Sequence, residues 1–344
     1  MNNNTIRVGL VGAGRNTTLK HIPGLQALDG VEIVSVCNRS RASSERVAQQ
    51  FHIPKVYDYW RDLIDASDTD TIVIGTWPYL HCPATLAALA ADKHVMCEAR
   101  MAMNAQEAHA MLDGARAKPH LIAQVVPSPF TLRVDKTVKR LIAEGHLGEV
   151  LALDVRVAQT FLDRDGPLHW RHNFDLSGFN VMHLGIWYEG IMRWIGEATR
   201  VTAMGKTFVK MRVDPQNGTM RPVRIPEHLD VVADMACGAQ AHFWISTVAG
   251  LAGPSEVLLF GSEGTLRFSD EKLYGGRRGD TALQEITVPP EEEGGWRVEE
   301  EFVNAILGKE AITHTTFEDG VKYMELTEAV ARSMAEGRAI ALPL

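Results

Sequence analysis

The apolar run Ile6 to Val11, IRVGLV, stops on Gly12-Ala13-Gly14, and that junction limits the fold more than any other part of the chain. The run is too short for a helix with a buried stripe and is apolar almost throughout. It therefore predicts a strand buried on both faces of a parallel sheet. Without Cβ atoms, Gly12 and Gly14 let the chain turn tightly and bring its amides close to an anion. The helix that opens near Arg15 and Asn16 aims its positive end at the same point. Such a turn suits the pyrophosphate of a dinucleotide. Gly12 and Gly14 fill the first two places of GxGxxG, and Thr17 takes the third.

The rest of the chain is compatible with a cofactor-binding protein. Its 344 residues suffice for two domains with buried cores, and 45% hydrophobic with 23% charged residues is ordinary for a globular protein. With 35 basic against 43 acidic residues the formal charge is −8, which argues against a nucleic-acid surface or an anionic membrane and for a small-molecule partner. MNNNTIRVG has no basic or hydrophobic leader pattern, and no later run approaches a membrane span, so a cytoplasmic location is expected. Cys37, Cys82, Cys97 and Cys237 lack CxxC spacing, which predicts free thiols and no metal site.

Further strands are predicted at Val31–Cys37, Thr71–Gly75, His94–Cys97 and Leu121–Val126, with a helix over Pro83–Ala91 and another capped by Asn104 and Glu107. The strand ends near residues 12, 38, 76 and 98 then share one edge, where doubly wound sheets bind ligands. The second strand ends in Asn38-Arg39-Ser40. An NAD site would carry an acid there for the ribose hydroxyls, whereas Arg39 offers a donor fork to a 2′-phosphate, so NADP is the expected cofactor and NAD the alternative. Ser40 equally suits a helix cap.

After Pro127 and Pro129 a helix face at Val134, Val138, Leu141 and Ile142 stops at Gly145, and from Val150 the pattern turns two-periodic. Strands at 201–205, 229–237, 241–248 and 256–260 complete an open, mostly antiparallel sheet. The fold class is α/β, with an N-terminal Rossmann doubly wound parallel sheet (1–126) and a C-terminal α+β domain (127–344). The C-terminal helix 317–336 is expected to pack back on the first domain. Val181, Leu184, Tyr188, Ile191 and Ile195 mark the buried stripe of a helix, with His183 and Trp187 one turn apart on its edge. Residues 289–295 read as a solvated acidic loop.

The run GLVGAGRNTTLKHIPGL, then DTIVIGTWPYLHCPATLAALAADKHVMCEARMA, resembles the glucose-fructose oxidoreductase, inositol dehydrogenase and rhizopine-catabolism family (Gfo/Idh/MocA), whose members read GxGxxGxxH, ATPNxLH and GKHVxxEKP. LIAEGHLGEV, LFGSEGTLRF and FEDGVKYMELTEAVARSMAEGRAIAL extend the resemblance over nearly the whole chain. It implies hydride transfer on a sugar, polyol or sugar acid, and a homodimer or homotetramer formed through the second sheet. It also implies a cofactor edge of Gly12, Ala13, Gly14, Arg15, Asn16, Asn38, Arg39, Ser40, Thr76, Trp77, His81, Glu98 and Ala99.

The family's catalytic groups are missing. Ala99 stands at the Lys of EKP and Arg100 at its Pro, while Trp187 stands at the substrate-helix His, His183 at an upstream Asp and Gly190 at a downstream Asp. Ala, Trp and Gly cannot take a hydroxyl proton. Three readings follow. In the first the site is rewired: without the Pro a cis bond costs about 3 kcal/mol, so the chain re-routes and swings Arg100 toward the vacant Lys position, leaving His183 as acid/base. In the second the protein oxidises and re-reduces a sugar within one turnover, as some related glycosidases do. In the third it binds nucleotide and regulates without turnover. Gln124, Trp170, Arg171, His172, Asn180, Trp187 and Tyr188 are expected around the substrate, the rings as stacking surfaces.

Overall fold

The computed structural model describes residues 5–181 and 183–344. The chain forms two units. Residues up to Pro127 join Arg297–Val321 in one, and Ser128–Trp296 join Lys322–Leu344 in the other. The C-terminal helix is thus not packed back whole on the first unit. Its first turn belongs there, and from Lys322 it belongs to the second.

In the first unit six strands lie in the order β3-β2-β1-β4-β5-β6, where β1 is Ile6–Val11, β2 Val31–Cys37, β3 Lys55–Val56, β4 Thr71–Ile74, β5 His94–Cys97 and β6 Ala123–Val125. All pairs are parallel. Val8, Leu10, Ile72, Val73, Val95 and Met96 are fully buried, as strands covered on both faces require. The helices are α1 (Ile22–Gln26), α2 (Arg41–Phe51), α3 (Trp60–Asp65), α4 (His81–Ala90) and α5 (Ala105–Arg116). Asn104 caps α5 by accepting from the Glu107 amide at 2.8 Å, as its spacing predicted. The strand order reverses between β1 and β4, and that switch point sits beside the glycine turn.

The second unit opens with α6 (Asp135–Ala143), whose end is marked by Gly145 at φ +77°. Its sheet has nine strands in the order β16-β15-β14-β13-β7-β12-β11-β8-β17. These are β7 (Val150–Ala158), β8 (Ala198–Lys206), β11 (His228–Met235), β12 (Gln240–Ser246), β13 (Glu256–Gly261), β14 (Gly264–Ser269), β15 (Lys272–Arg277), β16 (Gln284–Ile286) and β17 (Ile340–Ala341), with β9 (Met211–Val213) and β10 (Met220–Pro222) as a separate hairpin. Only β7 and β12 pair in parallel. Alternation along β11 buries Leu229, Val231, Ala233 and Met235 and leaves His228, Asp230 and Val232 on the other face. Between β7 and β8 come α7 (Phe174–Ser177) and α8 (Leu184–Ile195); α9 (Val298–Ile306) returns to the first unit and α10 (Phe317–Glu336) ends the helices. The 289–295 segment is tied down by acids: Glu292 accepts from Arg140 at 2.6 Å and from the Thr137 hydroxyl at 2.6 Å.

Candidate functional site

The glycine turn is built so that only backbone fits. Gly12 has φ +86°, and a Cβ there would lie 2.5 Å from Thr76 Cγ2. The third glycine of the motif normally gives the helix room against the strand. Here Thr17 is buried, and the room comes from Gly75 at the end of β4, where a Cβ would meet the Thr17 hydroxyl at 2.1 Å. The sequence marks Gly75 only as the end of a strand; a glycine facing the turn across the sheet is the signal of its role. Asn38 does not wait for a ribose. Its Oδ1 accepts the Ala13 amide at 2.6 Å, and its side-chain nitrogen donates to the Ser43 carbonyl. Ser40 caps α2, its hydroxyl accepting from the Ser43 amide at 3.4 Å. Arg39 stays exposed, with its guanidinium 5.9 Å from the centre of the Trp77 ring.

At the end of β5 the acid Glu98 ties three pieces together. Its Oε1 accepts from His21 Nε2 at 3.0 Å and from the Asn16 side-chain amide, and its Oε2 accepts from the Ala99 amide at 3.1 Å. His21 is fully buried and also donates through Nδ1 to Glu299 of α9 at 2.5 Å. Carboxylate oxygens only accept, so both ring nitrogens carry protons and the ring is an imidazolium. Burial pulls its pKa down, but the hydrogen bonds it donates to Glu299 and Glu98 outweigh that and raise it to about 9. Burial likewise opposes the charge on Glu98, and His21 holds its pKa below the usual carboxylate value. Gly24 makes room for Glu299, whose carboxyl carbon would be 2.9 Å from a Cβ there.

Two expectations at this corner are corrected. The Ala99–Arg100 peptide keeps the cis form that the expected re-routing would have avoided, and Arg100 is 5% exposed. The corner is held instead by His81, whose ring spans the Arg100 carbonyl at 2.9 Å and the Thr76 carbonyl at 3.0 Å. His81 is fully buried and therefore structural, not a ligand of the cofactor. Asn16 is likewise committed to Glu98. Gln124 is not a substrate residue either: it is buried on β6, and its amide nitrogen donates to Glu301 Oε2 at 3.0 Å and to the His314 carbonyl.

In the second unit the stripe of α8 is buried as its spacing predicted. The same burial removes Tyr188 and Trp187 from a substrate surface. Tyr188 is 1% exposed and its hydroxyl oxygen accepts the Ala198 amide at 2.7 Å; burial raises its pKa. Trp187 packs on Phe130, with ring centres 4.9 Å apart. Asn180 is buried too, donating to the Ser177 carbonyl at 2.7 Å. His183 stands just before α8 and is half-buried. The Gln159 amide nitrogen lies 2.8 Å from its Nδ1 and 3.4 Å from its Nε2, distances that place it against the ring face rather than in line with either lone pair. Trp170, Arg171 and His172 form a half-exposed turn in which the Arg171 guanidinium sits 4.2 Å from the Trp170 ring centre. Burial holds His172 and His169 below the usual histidine pKa, so both are neutral at pH 7.

Two buried charge networks that the sequence reading missed brace this unit. Arg193 pairs with Asp135 at 2.8 Å and Glu189 at 3.0 Å, and both Glu189 oxygens accept the Ser128 amide. Arg212 pairs with Glu227 at 2.8 Å and donates to the carbonyls of Asp163 and Gly166, anchoring the loop that leads to Trp170. Their signal was faint: acids and arginines interrupting otherwise apolar positions. Among the described residues no cluster of His, Cys, Asp or Glu could hold a metal, and no helix is long and apolar enough to cross a membrane.

A parallel sheet in this order, with a backbone-only glycine turn at its switch point, has the architecture of a dinucleotide-binding Rossmann domain. Comparison gives the family. Residues 6–125 match the oxidoreductase family with NAD-binding Rossmann fold, and residues 136–267 match the GFO/IDH/MocA C-terminal domain. The chain belongs to the Gfo/Idh/MocA family of NAD-binding oxidoreductases.

Among its relatives, levoglucosan dehydrogenase of Pseudarthrobacter phenanthrenivorans is 23% identical across 92% of this chain and 90% of its own. The trans-1,2-dihydrobenzene-1,2-diol dehydrogenase of Mus musculus is 26% identical over 58% of this chain, and the match spans 59% of that enzyme's length. Among solved structures, levoglucosan dehydrogenase in complex with NADH and L-sorbose superposes with TM-score 0.85 at 22% identity, covering 98% of this chain and 99% of that one. The WlbA dehydrogenase from Bordetella pertussis, in complex with NADH and UDP-GlcNAcA, gives 0.81 at 19% identity, with 99% of each chain covered.

Proposed function

We propose that this protein is an NADP-preferring dehydrogenase or reductase acting on a sugar, polyol or sugar acid, with Arg100 orienting the substrate and His183 exchanging the proton. The observation that carries it is the end of β2: no acid follows Cys37, Asn38 is consumed by the Ala13 amide, and Arg39 remains exposed over Trp77. A 2′-phosphate suits such an arginine. The sugar-like substrate is supported by the activities and bound ligands of the relatives above.

The bound nicotinamide would take or return a hydride at the carbinol carbon. The chain's share is the proton. Oxidation removes hydride from the carbon and a proton from its hydroxyl, and the proton passes to a ring nitrogen of His183, whose ordinary pKa lies near neutrality. Arg100 stays charged and holds the oxygen without shuttling a proton. Trp170 and Arg171 offer a ring and a cation to a carboxylated sugar. The face of the second sheet that carries His228, Asp230 and Val232 is our candidate for self-association.

The test is a fluorescence titration with NADPH and NADH in parallel, followed by a turnover screen over sugars and sugar acids. Arg39→Ala should weaken NADPH by about 10- to 100-fold, the value of a charged hydrogen-bonding pair, and leave NADH nearly unchanged. Equal weakening of both cofactors would refute the NADP assignment. Turnover unchanged in both His183→Ala and Arg100→Ala would refute the catalytic assignments. A second reading rests on Ala99 and Trp187, which remove the family's Lys and His: cofactor binding without turnover of any substrate would make the protein a nucleotide-dependent binding protein.

A further inference from the structure

The motif GxGxxGxxH puts its histidine eight residues after the first glycine, whereas His21 lies nine after Gly12. The extra residue is absorbed in a π turn, Thr17–His21, closed by the Ile22 amide donating to the Thr17 carbonyl. A π turn spans one residue more than an α turn, so both flanks keep their places. What it carries is the His21 ring, lodged between Glu98 at the end of β5 and Glu299 on α9.

We propose that His21 is a positioning residue for cofactor binding: as an imidazolium it neutralises Glu98 and Glu299 beside the glycine turn and, through Glu98, holds Asn16 and the Ala99 amide in place. The inference rests on the dinucleotide-binding edge alone and is independent of the catalytic roles given to His183 and Arg100. With the ring charged, the three groups sum to one negative charge. Without its proton the ring turns a lone pair toward one carboxylate, and the sum becomes two negative charges at an edge that must accept a pyrophosphate. Glu98 then loses its strongest partner, and Asn16 follows it.

Several elements bring charged or titratable groups around the ring. Glu98 comes from β5 and Glu299 from α9, and both raise the ring's pKa. Lys20 lies on the same turn and is exposed; His81 of α4 is engaged with the carbonyls of Thr76 and Arg100; Arg100 follows Glu98 at the corner. Asn16 of the glycine loop is uncharged.

The experiment is an equilibrium titration of the full chain with NADPH, and separately NADH, between pH 6.5 and 10, following cofactor fluorescence. The 2′-phosphate is already fully charged above pH 7, so both cofactors should report the same group. Affinity of the native chain should hold to about pH 8 and fall about tenfold through about 9. His21→Gln should bind about tenfold more weakly at pH 7 and show no such fall. Glu299→Gln removes one partner and one negative charge, so its affinity at pH 6.5 should be no weaker than the native chain's while the midpoint drops by about one unit. Parallel pH profiles for the native chain and His21→Gln, or a midpoint unmoved in Glu299→Gln, would overturn the proposal. The second arm decides the matter if His21→Gln does not fold. Absence of binding of either cofactor to the native chain would also overturn it, whereas binding without turnover would count only against the catalytic reading.

Discussion

A methyl group on Gly75 would sit 2.1 Å from the Thr17 hydroxyl and 2.3 Å from the Gly12 carbonyl, closer than any atoms can pack. Gly75→Ala should therefore open the glycine turn, destabilise the fold by about 1–3 kcal/mol and abolish cofactor binding. An unchanged melting temperature and an unchanged NADPH titration would contradict this account. His21 gives a pH dependence with a definite sign. Its pKa rises from the ordinary 6.5 to about 9 on folding, so its contribution to stability is complete below pH 6.5 and is lost as the pH climbs through about 9. Urea unfolding at pH 7 and pH 10 should show a deficit at the higher pH that is smaller in His21→Gln. Residue by residue, the candidate site was only half legible. Gly12 and Ala13 form the turn after β1, and Arg39 is exposed after β2. His81, Gln124, Asn180, Trp187 and Tyr188 turn inward, because a polar or aromatic letter near a site does not say whether its partner is a ligand or the backbone behind it.

At the scale of elements, α8 joins an apolar stripe to a buried ion cluster at its base. Arg193→Met would leave Glu189 and Asp135 as buried carboxylates without their cation, at about 3–5 kcal/mol. Arg140→Met removes a half-exposed, solvent-screened arginine from Glu144 and Glu292 and should cost far less. Urea unfolding of the two variants checks the contrast, and equal losses would show that burial is not what sets the cost. Elements with a strong period were readable before any coordinates. The β1 and β2 runs, the cap of α5 and the alternation along β7 and β11 each repeat one physical signal several times. The two-residue β3 and β17 and the three-residue β9, β10 and β16 offer too few residues for alternation to register. They exist because a neighbouring strand has open hydrogen-bonding groups.

For the molecule as a whole, the glycine turn, the strand edges and the two-periodic second half were enough to place the chain in its fold class and family. They did not reveal that each unit is stitched from two separated stretches, since that depends on long-range partners such as Glu299 for His21 and Glu301 for Gln124. A fragment ending at Pro127 lacks both acids: the buried His21 ring keeps Glu98 but loses Glu299, and the buried Gln124 amide nitrogen loses Glu301 and the His314 carbonyl. It should be loosely packed, with weak near-ultraviolet circular dichroism, and joining 297–321 to it through a flexible linker should restore that signal. A fragment that is well packed on its own would show that α9 is dispensable. During synthesis the same stitching imposes a wait. A ribosome adds about 5–20 residues per second, so on the order of 10–30 s separates the emergence of Pro127 from that of Glu299. For that interval the nascent first unit lacks the carboxylate that faces His21 Nδ1, and neither unit is complete until its own returning stretch, 297–321 or 322–344, has left the tunnel.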